Sequence, residues 1–343
     1  MLLLGAVPVD GQAPADRPWR TRWSAGLESS FDDNPFKLTS GQRADVPDGG
    51  DRWASLKQPY DVTNVLQLGL NANGRGLKGR KLELESDVRL DVYAINQRRT
   101  SVELGLQATQ SLSKRAGLHL ELDLRPSEFR RNYLSAGGIY EAGVATTLDA
   151  ALSYQRELLK GKGQRPDVGV ELGVLAARRT YKDMPWRDRN QFGLALAADL
   201  KAGPIAVELT TAGLRAFDNY DGAEPVSLNG AVVMTPLQRG FDELRVGLET
   251  VARTGKHTRV GVEYGLRQRN YTATEQEDPA HSGRVDRRHG FGGNVRWEAA
   301  KRIELIAGAE HQVQTTFRPG NGDTGDETDY KRTRISVRVE YRR

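Results

Sequence analysis

The chain has 343 residues, no cysteine, 50 Lys and Arg against 45 Asp and Glu, and a mean hydropathy of −0.60. The lack of cysteine excludes disulfides and thiolate metal sites, and the interspersed charges argue against a nucleic-acid-binding protein. No apolar run approaches the roughly 18 residues of a spanning helix, which excludes a membrane protein built of helices.

The first residues look like an export signal. MLLLGAVPV forms a short apolar core, and Ala13, Pro14 and Ala15 form a small-x-small cleavage site. The basic residues that usually precede such a core are missing, so a disordered tail is the alternative. We predict a truncated signal peptide at 1–15 and one domain at 16–343.

After residue 20, apolar residues recur at every second position in about fourteen segments. In KLELESDVRLDVYA (81–94), for example, the odd positions 83–91 are charged and the even positions are mostly apolar. Successive side chains of a strand point to opposite faces, so each segment predicts a two-faced strand. The segments are 23–27, 66–70, 82–92, 102–106, 118–124, 144–154, 168–174, 192–198, 205–209, 244–248, 260–266, 291–297, 303–307 and 335–341.

Short and long connections alternate between these segments. The short ones are rich in Gly, Lys and Arg and lie near 73–80, 111–117, 200–204, 252–257 and 298–302. The long polar ones are 31–60, 126–138, 181–190, 217–238, 271–288 and 316–331. A short join at 96–99 and a longer turn at 158–167 are exceptions. Short turns at one end and long loops at the other are typical of outer-membrane barrels.

We therefore predict an all-β fold, a transmembrane antiparallel up-and-down β-barrel of about 14 strands (12 to 16), in the bacterial outer membrane. Closure removes exposed strand edges, and lipid takes the place of a core. A soluble β-sandwich or an extended periplasmic sheet is the alternative. The apolar segment 226–236 inside a loop is either an added strand or a plug, which widens the range of the strand count.

Two ends of the chain resemble known barrel sequences. The first strand is followed by Phe31, Asp32, Asp33, Asn34 and Phe36. This resembles the aromatic-Asp-Asp-Asn signature of porin-like outer-membrane families, including barrels found with exopolysaccharide export genes. The closing strand is similar to the C-terminal strand that the barrel-insertion machinery reads, although Arg342 and Arg343 follow its aromatic Tyr341. The resemblance implies a pore or export role.

In such a barrel the charged faces of the strands line the lumen. We predict these pore-lining residues: Glu83, Glu85, Asp87, Glu103, Glu121, Asp123, Glu171, Arg245, Glu249, Glu263, Arg267, Arg269, Arg296 and Arg338. Intervening glycines leave space between them. The third to fifth segments carry mostly acids and the later ones add arginines, which gives a transverse field if the two walls face each other. The alternative is local ion pairing that fills the interior.

Other charges lie near the predicted outer ends of the strands. Arg130, Arg178, Arg215 and Arg288 are predicted to contact lipopolysaccharide phosphates or other anions, and ordinary solvated loop charge is the alternative. Asp32, Asp33 and Asn34, and also 321–329, offer oxygen ligands that suit calcium, but neither stretch has EF-hand spacing and acidic turns are the favoured interpretation. The loop 31–60 either folds into the pore or stays in solvent.

These observations favour a porin-like channel for passive diffusion or export of small hydrophilic or charged solutes. The alternative is a non-conducting structural, adhesin or partner-assembly barrel that acts through its outer loops. An outer-membrane hydrolase is less well supported, because no histidine has a Ser or Asp partner that the sequence can align, although His311 is predicted to face lipid. We expect no catalytic residue, metal or cofactor.

The expected partners follow from the same interpretation. They are outer-membrane lipid and lipopolysaccharide, the barrel-insertion machinery through the C-terminal strand, and a homo-oligomer or export-system partner. Nucleic acid is not expected.

Overall fold

The computed structural model describes residues 19–48, 56–135, 139–161, 166–218, 223–228, 231–236, 240–274, 281–318 and 329–343. The predicted signal peptide at 1–15 and most of the acidic stretch at 321–329 lie outside them. The strands of the described residues are β1 (Arg20–Asp32), β2 (Asp61–Arg75), β3 (Lys81–Tyr93), β4 (Ser101–Ser111), β5 (Ala116–Leu134), β6 (Tyr140–Leu159), β7 (Asp167–Tyr181), β8 (Arg189–Ala202), β9 (Ile205–Asp218), β10 (Ala223–Leu228), β11 (Ala231–Pro236), β12 (Phe241–Arg253), β13 (Thr258–Tyr271), β14 (Val285–Ala300), β15 (Ile303–Phe317) and β16 (Tyr330–Arg342).

Fourteen of these strands close into one antiparallel barrel, which confirms the predicted fold and strand number. Sequential strands are neighbours, β12 follows β9 in the ring, and β1 pairs with β16 to close it. Strands β10 and β11 form a separate hairpin in the loop between β9 and β12, and β10 contacts β5. The apolar segment 226–236 is therefore part of an added hairpin outside the barrel wall.

The two faces of the barrel follow the predicted alternation. Outward side chains such as Leu27, Leu172 and Leu194 are about 60% exposed, at 61%, 60% and 63%. Their neighbours Gly26, Glu171 and Ala195 are buried on the inward face. An apolar outer belt around a polar interior is the arrangement of a barrel that meets hydrocarbon on the outside.

The strand ends also follow the prediction, with one exception. The predicted short turns at 73–80, 111–117, 200–204, 252–257 and 298–302 lie at the end that carries the two termini. The long loops lie at the other end, which is extracellular in outer-membrane barrels, together with the short connections from β3 to β4 and from β5 to β6. The predicted loop at 126–138 is wrong, because β5 continues to Leu134 through two bulges. Pro126 lies in the first bulge, where its missing N–H costs no ladder hydrogen bond.

Helical structure is confined to the connections. One short α-helix, α1 (Ser40–Asp45), lies in the first long loop, and single turns of 3-10 helix lie at Leu77–Gly79, Gln97–Arg99 and Pro185–Arg187. Among the described residues, no helix has the length and apolar character to cross a membrane.

Candidate pore and its first loop

All fourteen residues predicted to line the pore lie on the inward face of the barrel. Their cross-strand neighbours are other inward positions: Asp87 lies opposite Gly69 and Gly105, and Glu121 lies opposite Gln107 and Ala151. This placement follows from the alternation of side chains between the two faces of a strand. Once the face of one residue is known, the faces of the remaining residues in a regular strand follow from it.

The ring order places the acidic and basic walls opposite each other. Seven steps separate β4 from β13 in either direction around the fourteen strands. The acids of β3 to β5 therefore face the arginines of β12 to β14 across the lumen. The geometric condition for a transverse field is met. The acids are Glu83, Glu85, Asp87, Glu103, Glu121 and Asp123, and the arginines are Arg245, Arg267, Arg269 and Arg288.

Three arginines of the basic wall share one carboxylate. Glu243 on β12 accepts from Arg245 Nε at 2.5 Å, from Arg267 Nε at 2.8 Å and from Arg269 Nε, while its side chain is fully buried. One carboxylate carries a single negative charge, so the cluster keeps an excess of positive charge. Arg288 on β14 has no ion-pair partner within the described part of the chain.

Local ion pairing also occurs, as the alternative interpretation predicted. Arg125 donates to Glu103 at 2.6 Å, Arg89 to Asp91 at 2.9 Å and Arg334 to Glu28 at 2.5 Å, all on the inward face. Several other inward acids form no ion pair with a described residue: Asp87, Glu121, Asp123, Glu171 and Glu249. Paired and unpaired charges therefore occupy different parts of the wall, and the transverse field stays a prediction.

The first long loop, L1 (33–60, described at 33–48 and 56–60), packs against the inside of the barrel. Leu38, Val46 and Leu56 of L1 form a buried cluster with Phe129 of β5, and Phe36 packs beside it. Each of the four clustered side chains is at most 7% exposed. Of the two predicted states of this loop, the structure has the one in which the loop folds inward.

The Asp-Asp-Asn residues attach L1 to the barrel wall. Asp32 accepts from Arg332, and Asp33 Oδ1 accepts from the backbone N–H of Thr333 at 2.6 Å. Asn34 is fully buried; its Nδ2 donates to the carbonyls of Leu38 (2.7 Å) and Lys331 (2.8 Å). These oxygens and amides are thus engaged by protein groups, as expected of acidic turn chemistry.

The other end of L1 is held by residues that sequence reasoning missed. Asn96, between β3 and β4, accepts the backbone N–H of Lys57 at 2.8 Å and donates to the carbonyl of Gln58 at 3.1 Å. Asp61 in turn accepts from the N–H and side-chain amide of Asn96. The sequence feature that could have identified Asn96 is its position at the start of a short connection, because Asn side chains bind backbone groups in turns.

Aromatic rings and arginines complete the packing of L1. The guanidinium of Arg99 lies 4.7 Å from the ring centroid of Phe36 and 4.5 Å from that of Tyr93. Arg98 lies 5.4 Å from the ring centroid of Phe129. Arginine stacked on aromatic faces stabilises such contacts by cation–π attraction. The short join at 96–99, which carries both arginines, therefore serves as a docking surface for L1.

Lys37 projects from L1 into the lumen. Its side chain is exposed to the space inside the barrel. Its backbone φ of 57° lies in the left-handed region, and its N–H donates a hydrogen bond to the Asn34 carbonyl, which closes a turn. Enclosure within the barrel, followed by the charges of Arg288, Arg332, Arg269 and Arg130, lowers the pKa of Lys37 to about 7. These arginines come from β5, β13, β14 and β16, so Lys37 lies near the middle of the lumen.

The four arginines predicted to contact lipopolysaccharide lie on two different faces. Arg178 and Arg215 are exposed on the outer face near the loop end, and Arg215 pairs loosely with Asp242 at 3.6 Å. Arg130 instead donates to Thr147 on the inward face, and Arg288 also points inward. The bulges of β5 and the parity of β14 direct Arg130 and Arg288 toward the lumen. Contact of these four arginines with lipopolysaccharide or another anion stays a prediction.

Among the described residues, the barrel encloses cavities at two levels. One of about 700 Å³ lies near the terminal end and is lined by Glu83, Glu85, Asp87 and Arg342, among others. The other, of about 200 Å³, lies at mid-height beside Arg245, Arg267 and Arg288. The interior therefore keeps space at these two levels despite its ion pairs.

His311, the residue weighed as a hydrolytic base, lies on the outer face of β15. Its Nδ1 is 3.1 Å from the hydroxyl of Thr333 on β16, and the pair is exposed. A hydrolytic base needs a third group that orients the imidazole, and the described hydrogen bonds of His311 include no carboxylate.

These features define the class of protein: a transmembrane β-barrel of the bacterial outer membrane, with a charged lumen and an inward-folded first loop. No family model and no curated protein matches the sequence.

Solved barrels resemble the chain in architecture. The anion-selective porin from Comamonas acidovorans has 11% identity and a TM-score of 0.44, covering 95% of this chain and 99% of that one. OpdK from Pseudomonas aeruginosa has 9% identity, a TM-score of 0.45 and coverages of 94% and 99%. The outer-membrane phospholipase of Salmonella typhi has 10% identity, a TM-score of 0.40 and coverages of 93% and 90%. At such identities and scores, nothing about activity follows from these similarities.

Proposed function

We propose that this barrel is an outer-membrane channel that conducts small hydrophilic solutes, charged ones included, by passive diffusion or as the exit of an export system. The observation that carries the proposal is the space inside the barrel, about 700 Å³ near the terminal end and about 200 Å³ at mid-height, lined by charged side chains. Passive passage needs binding that is weak and distributed along the path, and charges at several levels provide it.

L1 sets the width of the outer half of this channel. Its buried cluster with Phe129 brings Lys37 among arginines, so the narrowed region is basic. Small anions are attracted to a narrow region of this charge, whereas cations are repelled. The acids nearer the terminal end favour cations there, and we expect a modest net anion preference.

The experiment is single-channel recording of the purified barrel in a planar bilayer, with the reversal potential measured under a KCl gradient. We expect repeated conductance steps and a reversal potential on the anion side. Folding is checked separately by the shift in electrophoretic mobility between heated and unheated samples. A folded barrel without conductance, both as wild type and after L1 is released by Leu38→Glu, contradicts the proposal.

The rival function is a non-conducting barrel that acts through its outer loops. The hairpin of β10 and β11 favours it, because β10 contacts β5, several strands away around the ring, and so extends across the mouth. Deletion of residues 223–236 separates the two functions. The channel function predicts equal or larger conductance after the deletion, whereas a loop-acting barrel predicts no conductance before or after it.

The proposed partners follow from the surface of the same barrel. Arg178 and Arg215 lie outward near the loop end, where lipopolysaccharide phosphates are found, and guanidinium groups bind phosphate bidentately. The C-terminal strand β16 is the segment offered to the insertion machinery. A homo-oligomer or an export-system partner is compatible with the exposed outer belt.

A further inference from the structure

The mid-height cavity has four chemically different sides. It lies between β7 to β9 and β12 to β15 and holds about 200 Å³. For comparison, a cavity of about 150 Å³ in another protein accommodates benzene. The space is therefore large enough for a single ring or a short branched chain, and the chemistry of its walls decides which molecules of that size bind.

One side of the cavity is apolar, which is unusual for the interior of a water-filled barrel. Leu175, Ala195 and Ala212 line it, and they belong to a cluster that continues through Ala151 and Leu214. All lie on the inward faces of β6 to β9, where the other strands carry charged residues. An apolar strip at this position stabilises the hydrocarbon part of a solute and offers nothing to a bare ion.

The loop-end rim of the cavity is basic. Arg245 and Arg267 turn only their Nε atoms to Glu243, so no described bond engages their terminal Nη groups. Arg288 has no described hydrogen bond. The three guanidinium groups keep an excess of positive charge after the single negative charge of Glu243 is counted. They therefore present free donors to the cavity, and such donors bind carboxylates through charge-assisted hydrogen bonds.

Glycines form the back of the cavity. Gly247, Gly265 and Gly290 are aligned across β12, β13 and β14 by the strand pairing. A Cβ added to Gly265 meets no atom within 4 Å, so the space in front of this residue is open. Below the glycines, Glu263 and Glu310 form an acidic rim at the opposite end from the arginines.

We infer that this cavity is a binding site for small monocarboxylates with a compact apolar body. The carboxylate lies against Arg245, Arg267 and Arg288, and the body lies over the glycine row against Leu175. The acidic rim repels a second carboxylate and accepts a hydrogen bond from a hydroxyl group. The inference deepens the proposed channel function, because it names the solute class that the lumen recognises.

The test is isothermal titration of benzoate and cyclohexanecarboxylate into the purified, folded barrel in detergent. We expect saturable binding of both. Acetate lacks the apolar body and benzyl alcohol lacks the charge, so each is expected to bind at least about tenfold more weakly. Terephthalate, which adds a second carboxylate to the benzoate ring, is expected to bind more weakly as well.

Two variants locate the site. Gly265→Leu fills the cavity and is expected to abolish binding, whereas Gly213→Leu adds the same side chain on the exposed outer face of β9, also with no atom within 4 Å, and leaves binding unchanged. Arg288→Gln removes the unpaired guanidinium and is expected to weaken benzoate binding at least about tenfold. Partition into the micelle is the same for all variants and is subtracted.

Titration in detergent does not depend on conductance, so the two proposals fail separately. Conductance without saturable benzoate binding, or equal binding by the wild type and Gly265→Leu, overturns the carboxylate site and leaves the channel. Saturable binding lost in Gly265→Leu supports the site even when the barrel does not conduct, in which case the channel function fails.

Discussion

At the scale of single residues, two side chains of L1 have unusual surroundings. Asn34 is a fully buried amide whose hydrogen bonds join the start of the loop to β16, 297 residues away in the chain. Lys37, three residues later, is the lysine that this turn directs at the arginines of the lumen. Asn34 therefore positions the start of the loop, and Lys37 places an amino group among the arginines of the lumen.

The charge of Lys37 is expected to make ion selectivity depend on pH. Because its pKa is lowered to about 7, Lys37 is charged at pH 6 and mostly neutral at pH 8.5, whereas the arginines keep their charge. The anion preference should fall over this range, and the fall should be smaller in Lys37→Met. Lys78→Met is the control, since Lys78 has a similar φ of 53° in a turn at the opposite end. Equal pH dependence of wild type and Lys37→Met in reversal potential contradicts this account.

The same lowered pKa makes the stability of the docked loop depend on pH, and it fixes the direction of that dependence. Below about pH 7 both the docked and the released lysine carry a proton, so the full repulsion acts on the docked form. As the pH rises toward the ordinary value of 10.5, the docked form loses its proton first and the repulsion is lost. Docking of L1 therefore becomes more favourable as the pH rises.

Asn34→Ala is expected to loosen L1 without unfolding the barrel. The substitution removes the bonds to the Leu38 N–H (2.8 Å) and to two carbonyls, each contributing about 1 kcal/mol, and leaves buried partners unsatisfied. Hydrogen exchange followed by mass spectrometry should show faster exchange in 35–48. Asn64→Ala, at an exposed position of β2, is the matched control. Protection of 35–48 that is the same in both variants argues against a role of Asn34 in holding the loop.

At the scale of elements, L1 is attached at both ends and packed in the middle. The Asp-Asp-Asn residues hold its start against β16, Asn96 holds its end, and a small apolar cluster joins it to β5. The cluster consists of four buried side chains. The loop therefore has a defined docked position, and we expect a single substitution in this small cluster to release it.

Leu38→Glu is expected to release L1 and raise the single-channel conductance. The change loses about 2 kcal/mol of leucine burial and places a charge beside Phe129. Leu77→Glu, at a 67% exposed position in a terminal-end turn, should leave conductance unchanged. Protease cleavage within L1 reports release independently. If L1 becomes cleavable but conductance stays at the wild-type value, the loop does not narrow the channel.

At the scale of the whole molecule, closure of fourteen strands decides which charges meet. The acidic strands β3 to β5 and the basic strands β12 to β14 are far apart in the chain, yet they face each other because half the ring lies between them. Under the proposed channel function, a field between such walls orients dipolar solutes. The three arginines on Glu243 leave uncompensated positive charge on the basic wall, and Asp87, Glu121 and Asp123 leave uncompensated negative charge on the acidic wall.

The double variant Arg267→Ala, Arg269→Ala tests this field. Removal of two guanidinium groups leaves Glu243 with Arg245 alone, so the basic wall loses its excess charge near the narrow region. We expect the reversal potential to move toward cation selectivity. Arg178→Ala with Arg215→Ala removes equal charge from the outer face and serves as control. An unchanged reversal potential in the lumen variant contradicts the transverse field.

The sequence alone determined the two-faced strands, their number and the end at which the loops lie. Each of these features depends on a period of two or on the length of a connection, which are properties of neighbouring residues. The prediction failed at 126–138, where Pro126 suggested a loop but a bulge carried the strand onward. The alternation also gives no face for Arg130, because a bulge shifts the parity of the residues that follow it.

Only the tertiary structure decided which side chains meet across the lumen. The three arginines on Glu243, the contact of L1 with Phe129, the bond from Asn34 to Lys331 and the cavity beside Leu175 all join residues from different parts of the ring. Alternation tells whether a residue points inward, but not its height or its partner. Those depend on strand stagger and closure, which arise from the pairing of all fourteen strands at once.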